Sequence, residues 1–266
     1  MPLSMNRRNF VASAAAAVAS PAISLAEPGA PTKPMFLELR KFLLRNTTDN
    51  QRGRAAEFVA KVYSPALQRE TGAPVGVFNA AVAADSPFIL VLAAYPTLND
   101  FDRVQSKLWA DGEFAAQAER ALNGPLLYQR MEVSLLKGFP GFPGIEVPPQ
   151  DAAKPGRLFE LRMYESSTPL SLKKKIGMFE GGEIDIFRKS GLAPVFFGEQ
   201  IAGGKMPNLT YMVAFDNAAA REANWGKFGG SPEWAKLRST PGLSDGETVS
   251  NISNMLLSPA AGSQIR

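Results

Sequence analysis

The chain of 266 residues is 45% hydrophobic and 20% charged, with a formal net charge of +4, the composition of an ordinary globular protein with room for one large or two small domains. It contains no cysteine, which excludes disulfides, iron–sulfur clusters and thiol nucleophiles. It contains no histidine either, which excludes the Ser-His-Asp triad, the usual haem ligand and most transition-metal sites. We therefore expect no metal and no cofactor, and any catalysis would depend on carboxylate, amine, guanidinium or hydroxyl side chains.

Residues 1–26 have the pattern of a targeting peptide. A basic segment with the pair Arg7-Arg8 precedes a short Ala-rich apolar run, and Ser24-Leu25-Ala26 offers small residues for a signal peptidase. This resembles a twin-arginine export signal and predicts a periplasmic or secreted protein. The alternative is an Ala-rich terminus with an accidental arginine pair. The apolar run is too short to span a bilayer in the mature chain.

The predicted elements of the first repeat follow a Pro- and Gly-rich lead-in at residues 27–34. Within residues 35–138, alternation of apolar and polar residues predicts strands at 35–43, 75–83, 87–95 and 127–137. Apolar residues at helical spacing predict helices at 52–70, 97–109 and 112–122. Pro65 should distort the last turn of the first helix. Thr97, with Asp100 three residues later, should cap the second helix.

A linker rich in Pro and Gly is predicted at residues 139–156, and its phenylalanines suggest that it lies against the protein body. The second repeat, residues 157–259, shows the same order of elements, and residues 260–266 form a tail. Strands are predicted at 157–165, 195–202, 209–216 and 248–257 and helices at 169–189, 218–228 and 232–237. Gly181-Gly182 should bend the first of these helices.

One strand-like segment occurs twice and indicates a duplication. The segment 37–42, Leu-Glu-Leu-Arg-Lys-Phe, returns 122 residues later as 159–164, Phe-Glu-Leu-Arg-Met-Tyr. Each copy opens a β-α-β-β-α-β order, which is the ferredoxin-like unit. Such a sheet has helices on one face only, so two of them gain by packing their uncovered faces together. The predicted fold class is α+β, with two tandem ferredoxin-like repeats packed sheet to sheet as an intramolecular dimeric α+β barrel.

The second repeat resembles the NIPSNAP family. The resemblance rests on these motifs: Glu160–Tyr164, Glu180–Ile184, Pro194–Glu199, Met206–Met212 and Trp225…Phe228…Pro232-Glu233-Trp234. It extends over about residues 157–257 and is looser over 35–138, where the Gly-Gly motif is missing. It implies a tandem α+β barrel without an agreed chemistry. Its better-known members are mitochondrial proteins that act through protein interactions, and an export signal departs from that pattern.

The repeated strand supplies five candidate ligand-binding residues. Glu38 and Arg40 share one strand face, as do Glu160, Arg162 and Tyr164. We expect the leucines beside them to face the helices and these charged residues to face the interior shared by the two repeats. Glu38 would then pair with Arg162, and Glu160 with Arg40, across a pseudo-twofold axis. Such pairs are either structural ion pairs of the interface or the polar floor of a ligand cavity.

Two function classes remain open. The first is a small-molecule-binding or protein-interaction module. The alternative is a cofactor-independent monooxygenase or isomerase, in which Glu199 acts as general base and Tyr211 as acid inside the barrel. We expect no nucleic-acid binding, because Lys and Arg form no stripe with interleaved aromatics. The basic run 173–175 predicts a solvated helix face rather than an anionic partner site. Assembly as a homo-oligomer stays open.

Overall fold

The computed structural model describes residues 33–149 and 155–266, and within them the two halves of the chain repeat one order of elements. The strands are β1 (Phe36–Leu43), β2 (Gly76–Val82), β3 (Phe88–Tyr95), β4 (Arg130–Gly138), β5 (Leu158–Glu165), β6 (Ala193–Ala202), β7 (Asn208–Phe215) and β8 (Asn251–Pro259). The helices are α1 (Gln51–Phe58), α2 (Ser64–Thr71), α3 (Leu98–Ala110), α4 (Gly112–Leu122), α5 (Pro169–Met178), α6 (Ile184–Lys189), α7 (Ala218–Gly229), α8 (Pro232–Arg238) and α9 (Asp245–Thr248). The predicted export signal and most of the lead-in lie outside the described residues.

The eight strands close into one antiparallel barrel, in the order β1-β3-β2-β8-β5-β7-β6-β4. Each half contributes four adjacent strands with its first strand internal, which is the ferredoxin-like arrangement. The two sheets meet edge to edge at two seams, β2 with β8 and β4 with β6. The predicted fold class, two ferredoxin-like repeats in an intramolecular α+β barrel, is therefore confirmed.

At each seam, the hydrogen-bonded ladder that joins the two sheets is shorter than the strands that form it. The β2–β8 ladder runs from Phe78↔Pro259 to Val82↔Leu256, so residues 251–255 of β8 pair only with β5. The β4–β6 ladder starts at Leu135↔Ala202, so residues 130–134 of β4 pair only with β1. Both free segments lie at the barrel end that carries the β2–β3 and β6–β7 turns. The two sheets separate there, and the barrel has one open end.

The first helix of each half contains a π-helical turn. These turns are π1 (Val59–Tyr63), between α1 and α2, and π2 (Phe179–Glu183), between α5 and α6. Pro65 follows π1 and cannot donate a backbone hydrogen bond, which interrupts regular helix geometry. In π2 the break falls at Gly182, whose φ of 144° suits glycine. The predicted bend at Gly181-Gly182 is confirmed, whereas the distortion predicted from Pro65 lies before this proline, at π1, and not in the last turn of the helix.

Apolar side chains form three clusters. One fills the barrel interior with residues of both halves, and Phe78 and Phe159 meet there with ring centroids 4.9 Å apart. The other two lie between each sheet and its own helices. The tail covers the barrel end opposite the β2–β3 turn, because Ala260 N donates to Val77 O and the Ile265 side chain is fully buried in the interior cluster.

The described part of the linker lies against the barrel, as predicted. Met35 N donates to Pro143 O at 2.7 Å, and Glu146 N donates to Val195 O at 2.9 Å. The ring of Phe142 packs edge-on against Phe197, with centroids 5.0 Å apart. The described residues 33–149 and 155–266 form a single compact unit. None of the helices in the described residues has the length and apolar composition needed to cross a membrane.

The last strand starts later than its pattern predicts. Thr248, the first residue of the predicted strand, ends the short helix α9, and β8 begins at Asn251. Ser244 and Glu247 form a capping box, in which Ser244 N donates to Glu247 Oε2 at 3.2 Å. This local hydrogen bonding stabilises a helical turn where the β-branched residues favour a strand.

Candidate functional site

The charged residues of the first strands face the helices, which corrects the predicted orientation. Leu37 and Leu39 belong to the cluster inside the barrel, together with Phe159 and Leu161. Glu38 and Glu160 lie on the opposite strand face and contact side chains of the helix layer. The physical reason is that this layer supplies hydrogen-bond donors for buried carboxylates, whereas the narrow part of the barrel interior is filled with apolar side chains.

The predicted pairing across the pseudo-twofold axis is also wrong, because each carboxylate pairs within its own half. In the first half, Glu38 is 1% exposed and accepts hydrogen bonds from Arg40 Nε at 2.5 Å and from Tyr95 Oη at 2.6 Å. Arg40 also donates from Nη2 to Gln105 Oε1 on α3 at 2.9 Å. Burial raises the pKa of Tyr95, and the Glu38 charge raises it further, so its hydroxyl stays a donor.

In the second half, Glu160 is fully buried and held by more donors. Arg221 on α7 forms a bidentate pair with it, with both N–O distances 2.8 Å, and Trp225 Nε1 donates at 2.8 Å. Arg162 Nη1 donates at 2.9 Å. Burial acts to raise the pKa of Glu160, but the hydrogen bonds from Arg221 and Trp225 and the Arg162 charge outweigh it, so this pKa is lowered.

The remaining candidates lie in the same layer. Arg162 Nη2 donates to Tyr164 Oη at 3.1 Å, and Tyr211 Oη donates to Tyr164 Oη at 3.0 Å. Tyr211 is fully buried among Phe179 and Phe197, and burial raises its pKa well above the ordinary value. These contacts are those of a structural network, and a ligand-binding role for its members stays a prediction.

The predicted catalytic pair does not lie inside the barrel. Tyr211 packs in the cluster between sheet and helices. Glu199 is partly exposed and lies directly across from Leu209, which belongs to the same helix-side cluster. The structure therefore places both residues on the outer face of the barrel, and Tyr211 bonds to Tyr164 instead of approaching a shared cavity.

A buried ion pair in the second half was missed in the sequence. Lys173 and Lys174 are exposed as predicted, but Lys175 is 1% exposed. Its Nζ lies 3.3 Å from Glu183 Oε2 and 3.2 Å from Asp245 Oδ1. Burial raises the pKa of Glu183 to about 7, although Lys175 opposes this shift. Helical spacing from Leu172 to Lys175 and Met178 was the available signal, since it puts the lysine on the buried face.

The open barrel end holds a cavity of about 520 Å³, here called the mouth pocket. Its floor is apolar and comes from both halves: Leu39, Leu90, Leu161, Met163 and Met255. Its rim is polar: Lys41, Asp85, Glu132, Ser134, Lys205 and Ser253; the fully buried Thr210 also lines the pocket. None of the five predicted ligand-binding residues lines it. Sequence reasoning missed the pocket because it depends on where the seam ladders end.

The rim is held by contacts between elements distant in the chain. Lys41 Nζ lies 3.4 Å from Glu132 Oε2 across β1 and β4. Lys205 Nζ donates to Ser253 Oγ at 3.0 Å, which joins the β6–β7 turn to β8. Gly203 has a φ of 139°, and a Cβ there would lie 2.8 Å from Ser134 Oγ, so glycine lets this turn approach the free edge of β4.

A second cavity of about 470 Å³ lies on the helix side of the first half. Arg54, Lys61 and Arg120 line it, together with Phe58 and Leu127. Lys61 is already paired with Glu57 at 2.7 Å, and both side chains are exposed. Across the described ranges 33–149 and 155–266, no cluster of three or more acidic side chains is arranged to hold a metal ion.

Comparison with known proteins extends these observations. The NIPSNAP family model matches residues 159–264, which confirms the resemblance for the second repeat. A candidate monooxygenase from Lactobacillus acidophilus NCFM superposes with a TM-score of 0.56 and 13% identity, covering 88% of this chain and 99% of that chain. A candidate monooxygenase from Fusobacterium nucleatum gives 0.56 and 8%, covering 86% and 93%. An anthrone oxidase-like protein gives 0.51 and 12%, covering 86% and 94%.

The similarity to these structures shows the fold alone, because the identities are low. No protein with a curated function matches the sequence. The first repeat lies outside the family match and shares the fold through its strand order. Residues 159–264 of this chain therefore match the NIPSNAP family model and form part of an α+β barrel that both halves of the chain build.

Proposed function

We propose that this protein is a small-molecule-binding module whose ligand occupies the mouth pocket. The observation that carries the proposal is the cavity itself, about 520 Å³ at the open end of the barrel. Small-molecule sites typically enclose roughly 300–1,000 Å³ and combine an apolar lining with a few polar groups. The mouth pocket has this composition, with leucine and methionine below and charged and hydroxyl side chains above.

The two layers of the pocket would have separate roles. The floor removes the apolar part of a ligand from water, and the flexible side chains of Met163 and Met255 can adapt to its shape. The rim offers ammonium groups from Lys41 and Lys205 and a hydroxyl from Ser253. These groups would orient the polar part of the ligand, since directional hydrogen bonds supply specificity more than affinity.

The enzymatic alternative has less support. Two structural neighbours are described as candidate monooxygenases, but their similarity to this chain concerns the fold only. The side chains predicted to catalyse such a reaction, Glu199 and Tyr211, do not line the mouth pocket. Binding without catalysis is therefore the function that this geometry supports best.

Export by the twin-arginine route is a second part of the proposal and rests on the sequence of residues 1–26. We expect the mature protein in the periplasmic fraction, with Glu27 as its first residue. The Arg7→Lys/Arg8→Lys variant should stay in the cytoplasm with its leader uncleaved. Periplasmic recovery of that variant at the wild-type level would contradict this route.

Ligand binding is tested by filling the pocket. The apolar anionic dye 1-anilinonaphthalene-8-sulfonate serves as the probe, and native mass spectrometry of the purified protein reports any retained ligand and the oligomeric state.

We expect Met163→Trp to weaken dye binding at least tenfold, because the indole occupies the floor. Leu170→Trp, at a side chain 72% exposed on α5, is the matched control and should bind as the wild type does. Equal binding by both variants would refute the proposal.

A further inference from the structure

The two turns at the open end of the barrel are related by the internal repeat but carry opposite charges. Asp85 in the β2–β3 turn and Lys205 in the β6–β7 turn lie 120 residues apart, the same spacing as other equivalent positions of the two repeats. Both have a left-handed backbone, with φ values of 56° and 59°. The two turns thus share one backbone conformation but carry side chains of opposite charge.

The turns that carry these two residues lie on opposite sides of the open barrel end, and from its turn the Lys205 ammonium reaches Ser253 on β8. In the closed order of eight strands, the pair β2 and β3 is four positions from the pair β6 and β7, which is half of the circumference. Both side chains line the pocket. The apolar floor, with Leu39 and Leu161 at its centre, lies between them. A ligand across the pocket would meet a carboxylate at one end and an ammonium at the other.

The other charged groups at the open end of the barrel are engaged in ion pairs. Lys41 and Glu132 form a pair, and Arg130 also contacts Glu132 at 2.9 Å. Lys205 donates to the neutral Ser253 hydroxyl at 3.0 Å and forms a solvent-exposed ion pair with Glu165 at 3.7 Å, so an anionic group of a ligand would compete with Glu165 for this ammonium. Among the residues that the structure describes, no side chain forms an ion pair or hydrogen bond with the Asp85 carboxylate.

We propose that the mouth pocket takes a zwitterionic ligand with an apolar spacer, its ammonium group at Asp85 and its carboxylate or other anionic group at Lys205. This inference rests on the proposed function, because it names the ligand class of the same pocket. A fatty acid or an alkylamine satisfies only one of the two charges. An uncharged apolar ligand satisfies neither and gains only from the floor.

Isothermal titration calorimetry with three probes of equal chain length tests the inference: 8-aminooctanoate, octanoate and octylamine. Because an exposed ion pair changes affinity roughly 1.5- to fivefold, we expect the zwitterion to bind the wild type up to about fivefold more tightly than either probe with one charge. Shorter and longer ω-amino acids then locate the spacer length, since each buried methylene changes affinity about fourfold.

Exchange of the two charges supplies the decisive variants. Asp85→Lys alone makes both ends of the pocket cationic and should remove the preference for the zwitterion over octanoate. The double variant Asp85→Lys/Lys205→Asp should restore it, because the ligand can bind in the reversed direction about the pseudo-twofold axis. The exchange uses only residue types that one of the two equivalent turns already accommodates at positive φ. Asp102→Asn and Lys227→Gln, at exposed positions outside the pocket, should leave the preference unchanged.

The outcomes separate this inference from the proposed function. If the dye binds and Met163→Trp blocks it, but the zwitterion has no advantage over octanoate, the pocket stands and the ligand class is wrong. If Asp85→Lys still prefers the zwitterion over octanoate, the ligand class is likewise wrong although the pocket stands. If the wild type binds none of these probes and not the dye, the proposed function itself fails.

Discussion

The two halves share one fold but hold buried charge in different ways. In the first half, π1 ends at Tyr63, and the position of Lys175 is occupied by Ala55, so this layer has no ion pair at that place. In the second half, π2 ends at Glu183, which pairs with Lys175. The comparison shows that duplicated elements can keep their backbone while one copy replaces a neutral packed site by an ion pair that water cannot reach.

A similar difference affects the repeated Glu-Arg motif. Glu38 is held by one arginine and one tyrosine, whereas Glu160 is held by two arginines and one tryptophan. At the positions of Arg221 and Trp225 the first half has Phe101 and Gln105. The second half therefore depends more strongly on charge, and it is the half that matches the NIPSNAP family model.

Removal of the buried cation should have the largest effect on the second half. We expect Lys175→Met to lower the free energy of unfolding by about 3–5 kcal/mol at pH 8, where Glu183 is ionised in the wild type and then loses its buried partner. Urea denaturation measures the change. Lys174→Met, at an exposed neighbour, is the control and should change stability by less than about 0.5 kcal/mol.

The double variant Lys175→Met/Glu183→Met makes this site uncharged, as the equivalent residues Ala55 and Tyr63 make it in the first half. It should recover most of the lost stability, since a buried ion pair and a well-packed apolar pair often contribute alike. A double variant as unstable as Lys175→Met alone would show that packing, not charge, distinguishes the two sites.

The pH dependence of stability should come from the same half. Burial raises the pKa of Glu183 from the ordinary 4.5 to about 7, so the folded state holds a proton that the unfolded chain releases. This contribution to the free energy of unfolding is therefore greatest below about pH 4.5, falls as the pH rises to about 7 and is constant above it. A shift of this size corresponds to about 3 kcal/mol.

The Glu183→Gln variant isolates that contribution. Urea denaturation between pH 4.5 and 8 should show the wild type losing stability relative to the variant as the pH rises. Parallel curves for the two proteins would mean that Lys175 keeps Glu183 ionised throughout, with a pKa near the ordinary value.

The smallest expected effect is the difference in stability loss between the Glu160→Gln and Glu38→Gln variants. Glu160→Gln should cost about 3 kcal/mol, because two arginines lose their anion, and Glu38→Gln about 1.5 kcal/mol. Thermal or urea unfolding of the two variants gives this difference directly. An equal loss of stability, or a greater loss for Glu38→Gln, would contradict the inference that the second half depends more strongly on charge. Dye binding to the mouth pocket should be unchanged in both.

Much of the fold could be predicted from local patterns. Alternation of apolar residues located the strands, and helical spacing located the helices, because each pattern follows from backbone geometry. Thr97 caps α3 through a hydrogen bond from Asp100 N, as its position before the helix predicts. The order β-α-β-β-α-β in both copies then determined the ferredoxin-like unit and, through its uncovered face, the barrel.

The orientation of the repeated strand could not be predicted in the same way. Both faces of an internal barrel strand are buried, one in the interior and one under helices, so alternation divides Leu37–Phe42 into two sets without assigning either set to a layer. Glu38 and Glu160 lie under the helices because side chains distant in the sequence, such as Gln105 and Arg221, supply or orient the donors there. For the same reason, sequence reasoning placed Glu199 and Tyr211 inside the barrel, whereas they lie on its outer face.

By itself the sequence determined the duplication, the order of the elements and the NIPSNAP resemblance, all of which depend on residues close together in the chain. Only the tertiary structure decided which strand face meets the interior, that Lys175 is buried, and that a pocket opens between Asp85 and Lys205. The physical reason is that the pocket exists where two seam ladders stop short, and the register of those ladders depends on packing between halves far apart in the sequence.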